Sequence, residues 1–169
     1  FHPKDRMQDF IDKIPDDTIL CLDEAYADFV DKDELASIDL ERENVIRFRT
    51  FSKAYGLAGL RVAYGIGNKK MVKAFNKIRN HFGVNKLGQL AAKVALEDQD
   101  HLKTVLKKVD QSKKDIAAVF QKFGFTSLSS RTNFVPVNSG GDGKFAAKLM
   151  RSLIQEKIFV RMPSVSPLN

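Results

Sequence analysis

Two short stretches hold the residue types from which an amine chemistry can be built. In Arg49–Gly67, RTFSKAYGLAGLRVAYGIG, Lys53 stands beside Ser52 in a loop of small and apolar residues, and Arg61 opens the apolar run that follows. An ammonium in apolar surroundings loses hydration, so its free amine becomes available as a nucleophile, and such amines form Schiff bases with carbonyls. Ser52 offers a hydroxyl and a backbone N–H, and the Arg61 guanidinium is a fixed fork of donors shaped for a phosphate. In the second stretch, LCLDEAYADF, Asp23 closes an apolar run and Tyr26 follows shortly after. An aspartate at the carboxyl end of a central strand lies where open α/β sheets gather their ligands. It can hold a cationic ring nitrogen, and a tyrosine beside it can hydrogen-bond a phenolate. The plainer alternative is that Asp23 caps the next helix and Tyr26 packs.

Taken together, the lysine, serine and arginine suit a phosphorylated aldehyde, with an imine at one end and the phosphate at the other. Asp23 and Tyr26 would serve a ring between them. That set of needs describes pyridoxal phosphate, whose enzymes use a Schiff-base lysine and an acidic partner for the pyridinium nitrogen.

The elements that must position these residues follow from the apolar pattern. MQDFIDKIP places Met7, Phe10, Ile11 and Ile14 on one helical face, and Pro15 stops it. TILCLD is expected to form a buried strand ending at Asp23, NVIRFRT a second strand and RVAYGIG a third. The segment between the first two is long enough for a crossover, which predicts parallel strands. The glycine-punctuated link between the second and third is too short for one, which predicts that the third strand runs antiparallel. Helices are expected over NKKMVKAFNKIRN, with Asn68 as its N-cap and Met71, Val72, Phe75 and Ile78 on one side, over NKLGQLAAKVALED, and over a long stretch ending at Gly124. Strand-like FTSLSS and TNFVPVNS, a GGDG turn, a helix over KFAAKLMRSLIQEK and a strand at IFVRM complete a compact α+β tail.

The 169 residues carry 43% hydrophobic and 29% charged side chains, the balance of an ordinary globular protein with a packed core. No apolar run approaches the roughly 18–20 residues that cross a bilayer, and no N-terminal signal pattern is visible. The net charge is +7, but the lysines of HLKTVLKKVDQSKKD are interleaved with acids at helical spacing, so they read as a solvated helix face rather than a nucleic-acid footprint. The excess still favours anionic ligands such as phosphates. Cys21, the single cysteine, sits in an apolar run and is expected to be a buried, inert thiol. One cysteine cannot form an internal disulfide, which fits a reducing cytoplasm.

LDEAY followed by TFSKAYGLAGLRVAYGIG closely resembles the fold-type I pyridoxal-phosphate aminotransferases, class I/II, in particular the histidinol-phosphate aminotransferase branch. RNHFGVNKLGQLAAKVAL and RTNFVPV are similar to later segments of that branch, so the resemblance covers essentially the whole chain. It implies an α/β fold: residues 1–85 as the C-terminal part of the cofactor-binding large domain, with a mixed sheet, and residues 86–169 as interdomain helices and a small α+β C-terminal domain. It implies that Lys53 forms the Schiff base with pyridoxal 5'-phosphate, Asp23 pairs with the pyridine nitrogen, Tyr26 contacts the 3′-oxygen, and Ser52 and Arg61 bind the phosphate. No metal site is assigned. The implied partners are an amino donor, such as histidinol phosphate or an aromatic amino acid, a 2-oxo acid acceptor and a second copy in a homodimer, with no nucleic acid and no membrane.

The likeness is to the second half of the family's chain. The family's first phosphate-binding loop, its ring-stacking aromatic and the arginine that grips the substrate carboxylate have no counterpart in these residues. Both ends, FHPKD and RMPSVSPLN, look cut, and a polypeptide limited to these residues is expected to be inactive as a transaminase. The rival expectation is a non-catalytic, anion- or protein-binding α/β module derived from such an enzyme.

Overall fold

The computed structural model describes residues 2–163; the end of RMPSVSPLN lies outside the described residues. The chain divides into two compact units: one holds the chain up to Gln111 together with Arg131–Asn133, the other holds Ser112–Ser130 and the chain from Phe134 onward.

The first unit is built on a three-stranded mixed sheet. Strands β1 (Leu20–Asp23), β2 (Val45–Thr50) and β3 (Ala63–Gly67) lie in that order. β1 pairs parallel with β2, bringing Asp23 opposite Phe48, and β3 pairs antiparallel with β2, bringing Tyr64 opposite Arg49. Both directions are those expected from the lengths of the connections. The β1–β2 connection nevertheless holds no α-helix, only two short 3-10 turns at Ala27–Phe29 and Lys32–Glu34. Its DFVDKDELASIDLEREN run has no sustained apolar period from which a helix face could be built.

Branched apolar residues of β2 and the residues just beyond the strands fill the core. Val45 is fully buried, and Ile46, Phe51, Ala54 and Val62 are buried with it. Gly67 allows close backbone approach, since a Cβ there would lie 3.3 Å from the Val45 carbonyl oxygen. Helix α1 (Lys4–Asp12) buries Ile11, while Phe10 remains exposed. Arg42 ties the end of α1 to the sheet by donating to the carbonyls of Ile11 (2.6 Å) and Ile14 (2.9 Å).

The structure corrects the burial expected of TILCLD and of Cys21. Cys21 is exposed, because β1 is an edge strand among the described residues and only alternate side chains, Leu20 and Leu22, are partly covered. The apolar side of α2 (Lys69–Ile78) is also largely uncovered: Phe75 meets Phe48 edge-on at 6.4 Å, but Ile78 is 82% exposed.

Asn68 caps α2 as its spacing predicts, accepting from the Lys70 N–H at 2.8 Å. Asn85 caps α3 (Lys86–Glu97) through the Gly88 N–H. Helix α4 (Gln99–Lys122) stops at Gly124, whose φ of +77° lets the chain leave the helix while the Phe125 N–H closes onto the Phe120 carbonyl at 3.1 Å.

In the second unit, β4 (Thr126–Ser127) and β5 (Val137–Asn138) form a two-residue antiparallel ladder, and α5 (Gly143–Gln155) follows, capped by Asp142. FTSLSS and TNFVPVNS are therefore mostly irregular, and IFVRM is not a strand. Val137 is the only apolar residue in the paired segments, and no third strand is available among the described residues to extend the ladder.

Phe51 is the keystone of the first unit. It is 3% exposed, with Tyr55 at 5.1 Å and Tyr64 at 5.4 Å between ring centroids. Phe51→Ala is expected to cost about 3–5 kcal/mol of stability, read as a lowered midpoint in urea denaturation.

Candidate functional site

The Lys53 loop runs between β2 and β3 and is closed by its own backbone. The Phe51 N–H donates to the Val62 carbonyl (3.3 Å), and the Leu57 N–H donates to the Phe51 carbonyl (2.9 Å). Within this frame the Gly56 N–H closes a turn onto the Lys53 carbonyl at 3.0 Å, and Gly56 takes a φ of +70°, which a side chain would strain. Phe51 and Ala54 point into the core. The small and apolar residues around Lys53 thus anchor the loop while Lys53 itself stays half-buried.

The Lys53 ammonium lies 5.2 Å from the centre of the Tyr26 ring, within cation–π range. Tyr26 arrives from the end of β1 by a tight turn in which Asp23 Oδ1 accepts the Ala25 N–H at 3.0 Å. The capping alternative is therefore half right: Asp23 stabilises a turn rather than a helix, and one oxygen suffices for it. Asp23 is exposed and Tyr26 half-buried.

Ser52 is next to Lys53 and half-buried, but its backbone N–H is already engaged, donating to Thr50 Oγ1 at 3.0 Å. Its hydroxyl, not its amide, is the group it can offer. Arg61 sits at the far end of the loop in the left-handed region (φ 52°, ψ 47°), with an exposed side chain that donates from Nη1 to the Ala58 carbonyl at 2.9 Å. A non-glycine residue in this conformation costs about 1–3 kcal/mol, which the surrounding loop must supply. Of the five expected residues, Lys53 and Tyr26 meet directly, Asp23 is bound into the Tyr26 turn, Ser52 adjoins Lys53 in the chain, and Arg61 bonds within its own turn.

A cluster of charges behind this site was not among the expected residues. Glu24 Oε2 lies 2.8 Å from Arg47 Nε and accepts a hydrogen bond from Arg49 Nε at 3.1 Å; the Arg47 Nε contact is an ion pair without a hydrogen bond. Arg49 also stands 3.7 Å from Asp28. Burial pushes the Asp28 carboxyl above its usual range, and the Arg49 guanidinium pulls it back. Burial likewise raises the Tyr64 phenol, against the opposing effect of Arg49. The signal was present: Arg47 and Arg49 alternate onto one face of β2, and Glu24 and Asp28 flank Tyr26.

Comparison with known proteins decides what these residues belong to. The model of the family "Aminotransferase class I and II" matches residues 2–167. The chain belongs to that family. A histidinol-phosphate aminotransferase 2 of Carboxydothermus hydrogenoformans is 35% identical over 162 residues, which make up 94% of this chain and 44% of the relative. A second, from Hydrogenovibrio crunogenus, is 39% identical over 155 residues, 90% of this chain and 41% of the relative. Among solved structures, the histidinol-phosphate aminotransferase from Sinorhizobium meliloti, in complex with pyridoxal-5'-phosphate, superposes with a TM-score of 0.95 at 43% identity, covering 99% of this chain and 47% of that one. The chain thus spans less than half the length of these relatives, and its mixed α/β fold is that of the aminotransferase family. Among the described residues, no helix is long and apolar enough to cross a membrane.

Proposed function

We propose that this chain supplies the lysine-bearing part of the active site of a pyridoxal-phosphate-dependent aminotransferase, which moves an amino group from histidinol phosphate or an aromatic amino acid to a 2-oxo acid. The observation that carries the reading is the Lys53 ammonium poised over Tyr26, on the turn that Asp23 forms at the carboxyl end of β1.

The residues present fit the cofactor by the chemistry of their donors. An amine, a carboxylate, a phenol, a hydroxyl and a guanidinium answer, in turn, an aldehyde, a pyridine nitrogen, a ring oxygen and a phosphate that takes the last two. When bound, pyridoxal phosphate supplies the aldehyde and a ring that delocalises the electrons left by a departing proton. Lys53 would hold the aldehyde, and its Nζ, when free, would take the proton from the substrate α-carbon and pass it on. Asp23, through the oxygen its turn does not use, keeps a proton on the ring nitrogen. Tyr26 donates to the ring oxygen, and the Ser52 hydroxyl and Arg61 guanidinium hold the phosphate.

In this reading residues 1–85 belong to the large domain and 86–169 to the interdomain helices and small domain. The natural protein acts in the cytoplasm as a homodimer, with no nucleic-acid or membrane partner. What supports this is family membership and the kind of relatives found.

Borohydride reduction in the presence of pyridoxal phosphate, followed by peptide mapping, tests the assignment without recourse to turnover. The adduct is expected on the peptide containing Lys53. Adducts scattered over surface lysines, or none, would favour an anion- or protein-binding module instead.

A further inference from the structure

The charge cluster behind the site has no role in the chemistry above, yet it is built like a joint. Glu24 and Asp28 lie on the turn that carries Tyr26, on either side of it in the chain. Arg47 and Arg49 lie on β2, which leads directly into Ser52 and Lys53. The four side chains are only 11–17% exposed, and their charges balance two against two. Arg49 is the hub. It donates to Glu24, stands beside Asp28, and lies opposite Tyr64 in the β2–β3 ladder, where its charge acts on the Tyr64 phenol. The Tyr64 ring in turn packs on Phe51, the buried residue before Ser52. Arg47 completes the joint by donating to the Ala36 carbonyl at 2.8 Å.

We propose that Arg49, held between Glu24 and Asp28, is a positioning residue: it locks the turn bearing Asp23 and Tyr26 to the strand that delivers Lys53. The proposal rests on the aminotransferase reading of the site. A balanced cluster adds little net field of its own, so its contribution is chiefly geometric. Loss of a single partner leaves a charge uncompensated in a half-dry setting, where it is costly and felt by its neighbours. The charged and titratable groups on the elements that flank Lys53 are Asp23, Glu24, Tyr26 and Asp28 at the end of β1 and just after it, Arg47 and Arg49 on β2, Tyr55 and Arg61 in its own loop, and Tyr64 on β3.

A fold-stabilising cluster and a positioning cluster predict different results in the natural protein that carries this sequence, loaded with pyridoxal phosphate. Arg49→Met is expected to lower kcat about tenfold or more, with KM changed less, because a small misplacement of reacting groups suffices for such a loss. The pH midpoint of the bound cofactor's visible absorbance should rise in this variant, since a positive charge is gone and the cationic state is favoured. Glu24→Gln should move the midpoint the opposite way. The double variant restores the charge balance, so its midpoint should return toward the starting value while kcat stays low. Arg49→Lys, which keeps the charge but not the fork, guards against loss of folding: its midpoint should hold while kcat falls. If Arg49→Met and Arg49→Lys keep kcat within twofold, or if both single-charge losses leave the midpoint unmoved and lower only the unfolding temperature, the positioning role is overturned. Absence of the absorbance from the unsubstituted protein would overturn the aminotransferase reading together with it. Absorbance that is present but indifferent to these variants overturns the positioning role alone.

Discussion

Lys53→Ala is expected to reduce amino transfer in the natural protein carrying this sequence by at least 10²–10⁴-fold, roughly the contribution of a positioned general acid–base group. The reason lies in how little else is available. Ser52 adjoins Lys53 in the chain and the Tyr26 ring lies beside its ammonium, and neither provides an amine that can both hold an aldehyde and move a proton. The fold should survive the change. Lys53 is half-buried and its described contact is with the Tyr26 ring, so its loss costs about 0.5–1 kcal/mol of cation–π attraction. Phe51 and Ala54 hold the loop in place without it. The measurement pairs single-turnover kinetics with thermal unfolding. A nearly unchanged unfolding temperature with turnover lost supports the role, and turnover within about tenfold of the starting protein would show that Lys53 is not the reacting amine.

Much of the frame around that lysine was legible because local rules settle it. The length of each connection determined the direction of its strand pair, parallel for β1–β2 and antiparallel for β2–β3. Asn68 and Gly124 marked helix ends because their side-chain chemistry and backbone freedom are local properties. What was not legible depends on surroundings. An apolar run such as TILCLD reads the same in a covered strand as at a sheet edge, so Cys21 was expected to be buried and is exposed. IFVRM has strand composition but no partner strand among the described residues, and composition alone supplies none. Within the site, the residue types were legible but their contacts were not. The spacing of Asp23 and Tyr26 did not reveal that Asp23 forms a turn, nor that Arg61 would occupy left-handed backbone. Arg47 and Arg49 escaped notice because alternating charges on a strand ordinarily signal a solvated face, whereas here they meet Glu24 and Asp28 away from solvent.

Asp23→Asn separates the two duties that the structure allows Asp23. The amide retains an oxygen that can accept the Ala25 N–H, so the turn that delivers Tyr26 should persist and the unfolding temperature should stay close to that of the starting protein. What disappears is the negative charge on the other oxygen. A hydrogen bond to a charged partner is worth about 1.5–3 kcal/mol, and exchanging it for a neutral one during the proton transfer should slow turnover by roughly 10–150-fold. Asp23→Ala removes both duties. It should show a similar or larger loss of turnover together with a loss of about 1 kcal/mol in stability, the ordinary worth of the missing turn hydrogen bond. The comparison is decided by measuring kcat and urea midpoints on the three proteins side by side. If Asp23→Asn turns over at a near-normal rate while Asp23→Ala is unstable, Asp23 only shapes the turn, and the acid that serves the ring nitrogen must be sought elsewhere.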